Sequence, residues 1–433
     1  MKTLLRLLLA CALATVLGCA ALLTWQRHPL GAPAAGGAAA APPSAEQVAR
    51  GAYLAAVGNC AGCHTARGGS RLAGGRAIPT PFGTVFSSNL TPDATGLAGW
   101  TPDDFWRALH FGLGADQRLL VPAHPLTNTT LVTRDDADAL FAWLSTQPAV
   151  AAPRQPHELR WPYGTALAQA AWRALNFRPG VYEADPTRDA TWNRGAYLTQ
   201  GLAHCSACHA ARNALGGDQG PADFRGGLLA GLGWTAPSLH DPAEGGVQRW
   251  PDATLQRWLR TGHAGPHSAV GPMAEVVLGS TSALNERDLA AMSAYLRQLP
   301  EHTVARGPAT RPDPRRRDRG AALYREHCAS CHGAEGQGRS DEAGAMAYPA
   351  LAGSRMVALA DATNLIRLIE RGGFGPATAG HPQPYGMPPF AGVLDIDDLA
   401  ALASHVRHSF GGGASELDAV DVVRLKSTAA GPR

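Results

Sequence analysis

Cys60-Ala61-Gly62-Cys63-His64, Cys205-Ser206-Ala207-Cys208-His209 and Cys328-Ala329-Ser330-Cys331-His332 decide how this chain is read. Two cysteines separated by two residues, with a histidine directly after them, form the pattern of covalent c-type haem attachment. One turn of helix sets both thiols under the two vinyl groups for thioether formation, and the adjacent imidazole then lies beneath the iron as proximal ligand. A zinc clip or a redox dithiol uses the same cysteines, so a single copy leaves those alternatives open. Three copies in one sequence setting select haem, and the expected cofactor content is three haem c groups, each with its iron.

The setting itself repeats. Arg50-Gly51-Ala52-Tyr53-Leu54 precedes the first motif, Arg194-Gly195-Ala196-Tyr197-Leu198 the second and Arg319-Gly320-Ala321-Ala322-Leu323-Tyr324 the third. Each copy closes on an amphipathic helix with an acidic or polar start, over Asp135 to Thr146, Asn285 to Leu299 and Asp395 to Phe410. Opening helix, haem motif, long loop and closing helix make a class I cytochrome c domain. The expected fold is therefore mainly α, with three such domains in tandem. The 433 residues hold 50 Gly and 33 Pro and are only 6% aromatic, which describes short helices and long ordered loops rather than one large core. Domains of about 100 residues built this way can fold around a bound cofactor. A net charge of +3 is too small to imply a nucleic-acid partner.

A low-spin electron carrier needs a second axial ligand, usually methionine from the loop before the last helix. Met387 follows His332 by 55 residues and Met273 follows His209 by 64, and these two are the expected sixth ligands of the third and second haems. Met292 shares a helical face with Leu289, Leu296 and Leu299, Met356 falls near a helix start, and Met346 is too close to His332. The first repeat has no methionine between Tyr53 and Gln147; in the equivalent loop Val121-Pro122-Ala123-His124-Pro125 presents His124, 60 residues after His64. His124 is the expected sixth ligand there, ahead of His110, which lies in a helix expected over Asp103 to Phe111. A bis-histidine haem should have a lower potential than its His/Met neighbours.

Lys2 and Arg6 precede an apolar run from Leu7 to Trp25, followed by a Pro/Ala/Gly stretch, which reads as an export signal. The run is nearly long enough to span a bilayer as a retained anchor, with everything after it on the far side, at the periplasmic face of the inner membrane. Cys19 loosely resembles a lipidation site as the lesser option. The expected organisation is a signal or anchor over 1–28, a flexible linker over 29–45, and a first haem domain over 46–150. A connector over 151–188 and a second domain over 189–300 follow. A basic linker over 301–317, whose run of Arg311, Arg315, Arg316, Arg317 and Arg319 reaches into the next domain, leads to a third domain over 318–413 and a tail over 414–433.

Beyond the haem motifs, four stretches carry a family resemblance. They are Thr80-Pro81-Phe82-Gly83-Thr84 to Asn89-Leu90-Thr91-Pro92-Asp93, Trp192-Asn193-Arg194-Gly195-Ala196-Tyr197-Leu198, Gly271-Pro272-Met273-Ala274-Glu275-Val276-Val277 and Asp361-Ala362-Thr363-Asn364-Leu365-Ile366. With them the chain resembles the three-haem cytochrome c subunits of membrane-bound bacterial dehydrogenases, which serve alcohol, gluconate and related sugar-acid oxidation. That family commonly has Tyr-Pro-Ala-Met-Pro where this chain reads Val121-Pro122-Ala123-His124-Pro125, a departure at the first haem. The resemblance implies a catalytic dehydrogenase subunit using flavin, a quinone cofactor or molybdenum, and ubiquinone as acceptor. The chain has no Gly-rich dinucleotide fingerprint of its own, so it would supply wiring and no substrate chemistry. Two rival functions are a free-standing carrier to a downstream cytochrome or terminal oxidase, and a haem peroxidase in which the first haem has a displaceable sixth ligand.

Overall fold

In each repeat the Arg-Gly dipeptide marks where an opening helix packs on a closing helix. The computed structural model describes residues 1–36, 42–303, 313–342, 346–379, 386–412 and 415–430. Arg311, Tyr385 and part of the expected 29–45 linker lie outside these residues. The helix pairs are Ala45–Val57 with Arg134–Leu144, Ala190–Tyr197 with Glu286–Arg297, and Pro314–His327 with Ile396–Phe410.

Side-chain caps set where these helices begin. Ser44 and Gln47 form a capping box at the first opening helix, Asp189 accepts from the Trp192 N–H at the second, and Asp313 accepts from the N–H groups of Arg315 and Arg316 at the third. The closing helices are capped by Thr133, Asn285 and Asp395, whose side chains accept from the N–H groups of Asp136, Asp288 and Asp398. Those three aspartates then take the arginines of the repeated dipeptide. Arg194 donates to both oxygens of Asp288 at 2.8 and 2.7 Å, Arg319 donates to both oxygens of Asp398 at 2.7 Å, and Arg50 donates to Asp136 at 2.8 Å. The glycine beside each arginine lets the two helices touch. A β-carbon would stand 2.7 Å from Trp143 Cβ at Gly51, 2.8 Å from Tyr295 Cβ at Gly195 and 2.8 Å from His405 Cβ at Gly320.

The described chain forms two compact units, with the second and third repeats gathered mainly in one. The first unit comprises 1–183 with 200–204 and 213–221. Its N-terminal helix, Lys2–Arg27, covers the expected apolar run and is long and apolar enough to cross a membrane. The connector contains a helix not expected from its sequence, Ala166–Asn176, capped by Thr165 and packed against Lys2–Arg27. Arg173 on it is 1% exposed; it donates from Nε to Gln26 Oε1 at 3.0 Å and from Nη2 to the Phe111 carbonyl at 2.6 Å. Burial pulls its guanidinium down to about 10. A small antiparallel sheet joins Ala77–Thr80, Gly83–Phe86 and Glu158–Leu159, the last strand also coming from the connector.

The second unit comprises 184–199, 205–212 and 222–433. Its core in the second repeat includes Leu255, Leu259, Leu289 and Met292, so Met292 is a packing residue as expected. In the third repeat Leu323, Tyr324, Leu365, Ile366, Leu399, Leu402 and Val406 form a continuous apolar cluster, with Met356 and Met387 partly buried against it. Burying such a side chain contributes about 1.5–3 kcal/mol relative to leaving it in water. The opening helix of the third repeat begins at Pro314, inside the stretch expected as linker. Pro314 sits in the first turn of the opening helix, where a missing N–H costs nothing, so Arg315, Arg316 and Arg317 are helical. Arg316 is paired with Glu416.

Candidate haem sites

Each Cys-Cys-His motif forms or caps a short helix that follows an opening helix: Cys60–His64, Ser206–His209 capped by Cys205 after the π-helical turn Leu198–Leu202, and Ala329–His332 capped by Cys328. The three histidines are held alike. The Nδ1 of His64 lies 2.7 Å from the Ser88 carbonyl, that of His209 2.8 Å from the Pro237 carbonyl, and that of His332 2.8 Å from the Pro349 carbonyl. A carbonyl can only accept, so each Nδ1 carries the proton and each Nε2 keeps its lone pair, which is the tautomer a metal-ligating histidine needs. A second repeated contact fixes the acceptor loop. Gly74, Gly226 and Gly338 donate their N–H to the carbonyls of His64, His209 and His332 at 2.8, 2.6 and 2.7 Å. Each has positive φ, +77° at Gly226, and a β-carbon there would press within 2.5 Å of the Ser238 nitrogen.

The expected sixth ligands fall in three different local structures. His124 sits in a turn between Val121 and Leu126, partly buried, with Nε2 3.1 Å from Thr129 Oγ1. It is close enough to His64 and His204 that both, after burial, depress its basicity, to about 3. His110 is 6% exposed, hydrogen-bonded through Nδ1 to the Thr130 carbonyl at 2.8 Å and stacked on Trp106, which is a packing role. Met273 lies in the first turn of the helix Pro272–Gly279, after Gly271, whose position is pressed against the Trp234 ring. Met387 lies in a two-residue strand paired with Gly373 and packs on the third-repeat core.

The Cytochrome c family matches residues 48–148 and 318–409. The gluconate 2-dehydrogenase cytochrome c subunit of Pantoea cypripedii is 34% identical over 88% of this chain and 89% of its own length. This chain belongs to the dehydrogenase cytochrome c subunits. The alcohol dehydrogenase (quinone) cytochrome c subunit of Gluconacetobacter polyoxogenes is 34% identical over 92% of this chain and 88% of its own length. A nicotinate dehydrogenase polypeptide of Pseudomonas putida is 35% identical over 85% of this chain, which spans only 30% of that longer protein.

Members of this family carry haem c, a covalent iron porphyrin whose ferric/ferrous couple supplies one-electron transfer. The residues present fit it. Among the described residues no cysteine is paired in a disulfide, so both thiols of every motif are available for thioethers. Among those same residues no three His, Cys, Asp or Glu side chains converge as a zinc site requires. Burial pushes the Cys60 and Cys205 thiols up to about 12 and Cys328 to about 11, with Cys63, Cys208 and Cys331 adding to the rise. Burial also lowers His64, His209 and His332 against the opposing carbonyl bonds, which keeps these imidazoles neutral and able to ligate.

Some residues that build the sites are not marked in the sequence. Ser88, Pro237 and Pro349 act through backbone carbonyls, which leave no residue-type signal. Gly74, Gly226 and Gly338 follow their histidines at unequal distances, so no periodicity marks them. His204 adopts φ +42° directly before Cys205 and bonds through Nε2 to the Gly58 carbonyl at 3.2 Å. Its position beside the second motif is the one available signal.

Proposed function

We propose that this chain carries three haem c groups, bound covalently by Cys60 and Cys63, Cys205 and Cys208, and Cys328 and Cys331. Their irons take His64, His209 and His332 as proximal ligands, and His124, Met273 and Met387 as sixth ligands. The three tandem haem repeats relay electrons from a catalytic dehydrogenase subunit, of flavin, quinone-cofactor or molybdenum type, to ubiquinone. The Lys2–Arg27 helix holds the chain at the periplasmic face of the inner membrane. One observation carries this reading: three histidines, each behind a cysteine pair, present the same Nδ1–carbonyl bond and leave Nε2 free. Relatives named as cytochrome subunits of gluconate and alcohol dehydrogenases support a dehydrogenase partner.

The test is purification from native membranes, with haem counted per chain and the co-purifying polypeptides identified. Alcohols, aldehydes and sugar acids are then tried as reductants. Three haems, a stoichiometric large subunit and reduction by one substrate class are the expected results. A solitary protein that no such substrate reduces would overturn the proposed partnership.

A further inference from the structure

We infer that Asn364 and Arg367 of the third repeat are positioning residues for the second haem. The inference rests on the proposed ligation of that haem by His209 and Met273. It starts from the short strand Trp234–Ala236, which pairs with Gly227–Leu229 in register Leu228 to Thr235. This strand serves both ligands. It runs directly into Pro237, whose carbonyl holds His209 Nδ1 at 2.8 Å. At its other end the Trp234 ring lies against Gly271, two residues before Met273, so that a β-carbon at 271 would stand 2.6 Å from the ring.

The third repeat grips this strand. Asn364, 7% exposed, accepts from the Thr235 N–H at 2.8 Å and donates from Nδ2 to the Thr235 carbonyl at 2.7 Å. Its amide thus takes the place of a neighbouring strand at a hairpin edge. Asp361 accepts from the Thr235 hydroxyl at 2.9 Å, and the Arg367 guanidinium lies 5.6 Å from the Trp234 ring centroid. The first repeat shows that this edge needs a brace. Its strand Gly83–Phe86 leads likewise to the carbonyl that holds His64, and Phe86, two residues before Ser88 as Thr235 is before Pro237, donates its N–H to His157 Nδ1 at 3.2 Å. In the first repeat the connector supplies the brace; in the second, the third repeat does.

Two physical effects follow. Outer contacts that orient a ligating histidine tune the metal, and Asn364 fixes the strand that ends in the His209 acceptor. A cation near an iron disfavours the ferric state, and Arg367 places one over the Trp234 ring that lies against Gly271, two residues before Met273. Losing either contact lowers the second haem's potential.

The experiment is spectroelectrochemistry of the full-length holoprotein. Met273→Leu first identifies the second haem as the one whose potential and methionine-to-iron absorption change; if nothing changes, the ligation reading fails. Asn364→Leu is expected to lower that one potential and weaken the absorption, leaving the other two haems as in the wild type. Arg367→Met is expected to lower the same potential with the absorption intact, and Arg367→Lys to restore it. If Asn364→Leu does not fold, the two Arg367 variants decide. Three wild-type potentials in every folded Asn364 and Arg367 variant, beside a shifted Met273→Leu, would overturn the inference.

Discussion

Gly195 lies against the Ala291 carbonyl so closely that a β-carbon built on it would overlap the oxygen. Helix propensity alone favours alanine over glycine by about 1 kcal/mol, whereas forcing a methyl into a packed contact costs about 1–3 kcal/mol. Packing should win. Gly195→Ala is expected to lower the thermal midpoint and to reduce haem content, with the same outcome for Gly51→Ala and Gly320→Ala. Equal or higher stability in all three would show that the helix pairs are not in van der Waals contact there.

The first haem tests the departure at His124. On the proposed ligation, replacing His124 by alanine should open the first iron to carbon monoxide in the reduced protein, and the wild type should resist it. His124→Met should raise the first haem's potential, because a thioether favours ferrous iron more than imidazole does. A wild-type potential in both variants would assign the sixth position to another group.

The Arg319–Asp398 pair makes a pH-dependent contribution. Hydrogen bonds from Arg319 hold the Asp398 carboxyl below its ordinary value of 3.8. A depressed carboxylate contributes stability that is present above the unfolded value and lost as pH falls through the folded one. Wild type and Arg319→Gln should therefore differ in denaturant unfolding at neutral pH, begin to converge as the pH falls below 3.8, and meet only once the pH has passed the lower value of the folded carboxyl. A difference that persists unchanged in acid would mean that the arginine acts by packing alone.

Arg173 caps the helix Pro102–Phe111 from the side, through the Phe111 carbonyl, while holding Gln26. Arg173→Met keeps much of the apolar stem and removes the donors. Leaving a buried carbonyl without its partner costs about 1–3 kcal/mol. Chemical denaturation should report a loss of that size, and proteolysis near Gln26 should become faster. An unchanged midpoint would show that water replaces the guanidinium.

The parts of this fold legible in the sequence are those set by short spacings. Cys-x-x-Cys-His names its own chemistry, and the closing helices show as periodic apolar stripes behind a capping residue, as at Asn285 ahead of Leu289, Met292 and Leu296. The Arg-Gly dipeptide is visible as a repeat, but its meaning requires Asp288 and Ala291, which lie far along the chain. Asn364 stands out only as part of a family stretch. Its partner Thr235 is 129 residues away and is bound through backbone atoms, so no residue pairing announces it. The connector helix Ala166–Asn176 is hidden by the Trp- and Pro-rich sequence around it, and the start of the third repeat by a run of arginines that reads as linker until Asp313 and Pro314 are recognised as cap and first turn.

The amide of Asn364 standing in for a strand at Thr235 bears on how such chains lengthen or shorten during evolution. A tandem array is freely extendable only when each copy is finished at both ends. Here the middle copy is unfinished: without its C-terminal neighbour, the Thr235 N–H and C=O are left as an open edge two residues before the carbonyl that holds His209. A gene cut after the second repeat would yield a protein prone to pair that edge with another molecule, unless a new side chain arose to close it. Copy number at this end of the chain is thus tied to a single carboxamide.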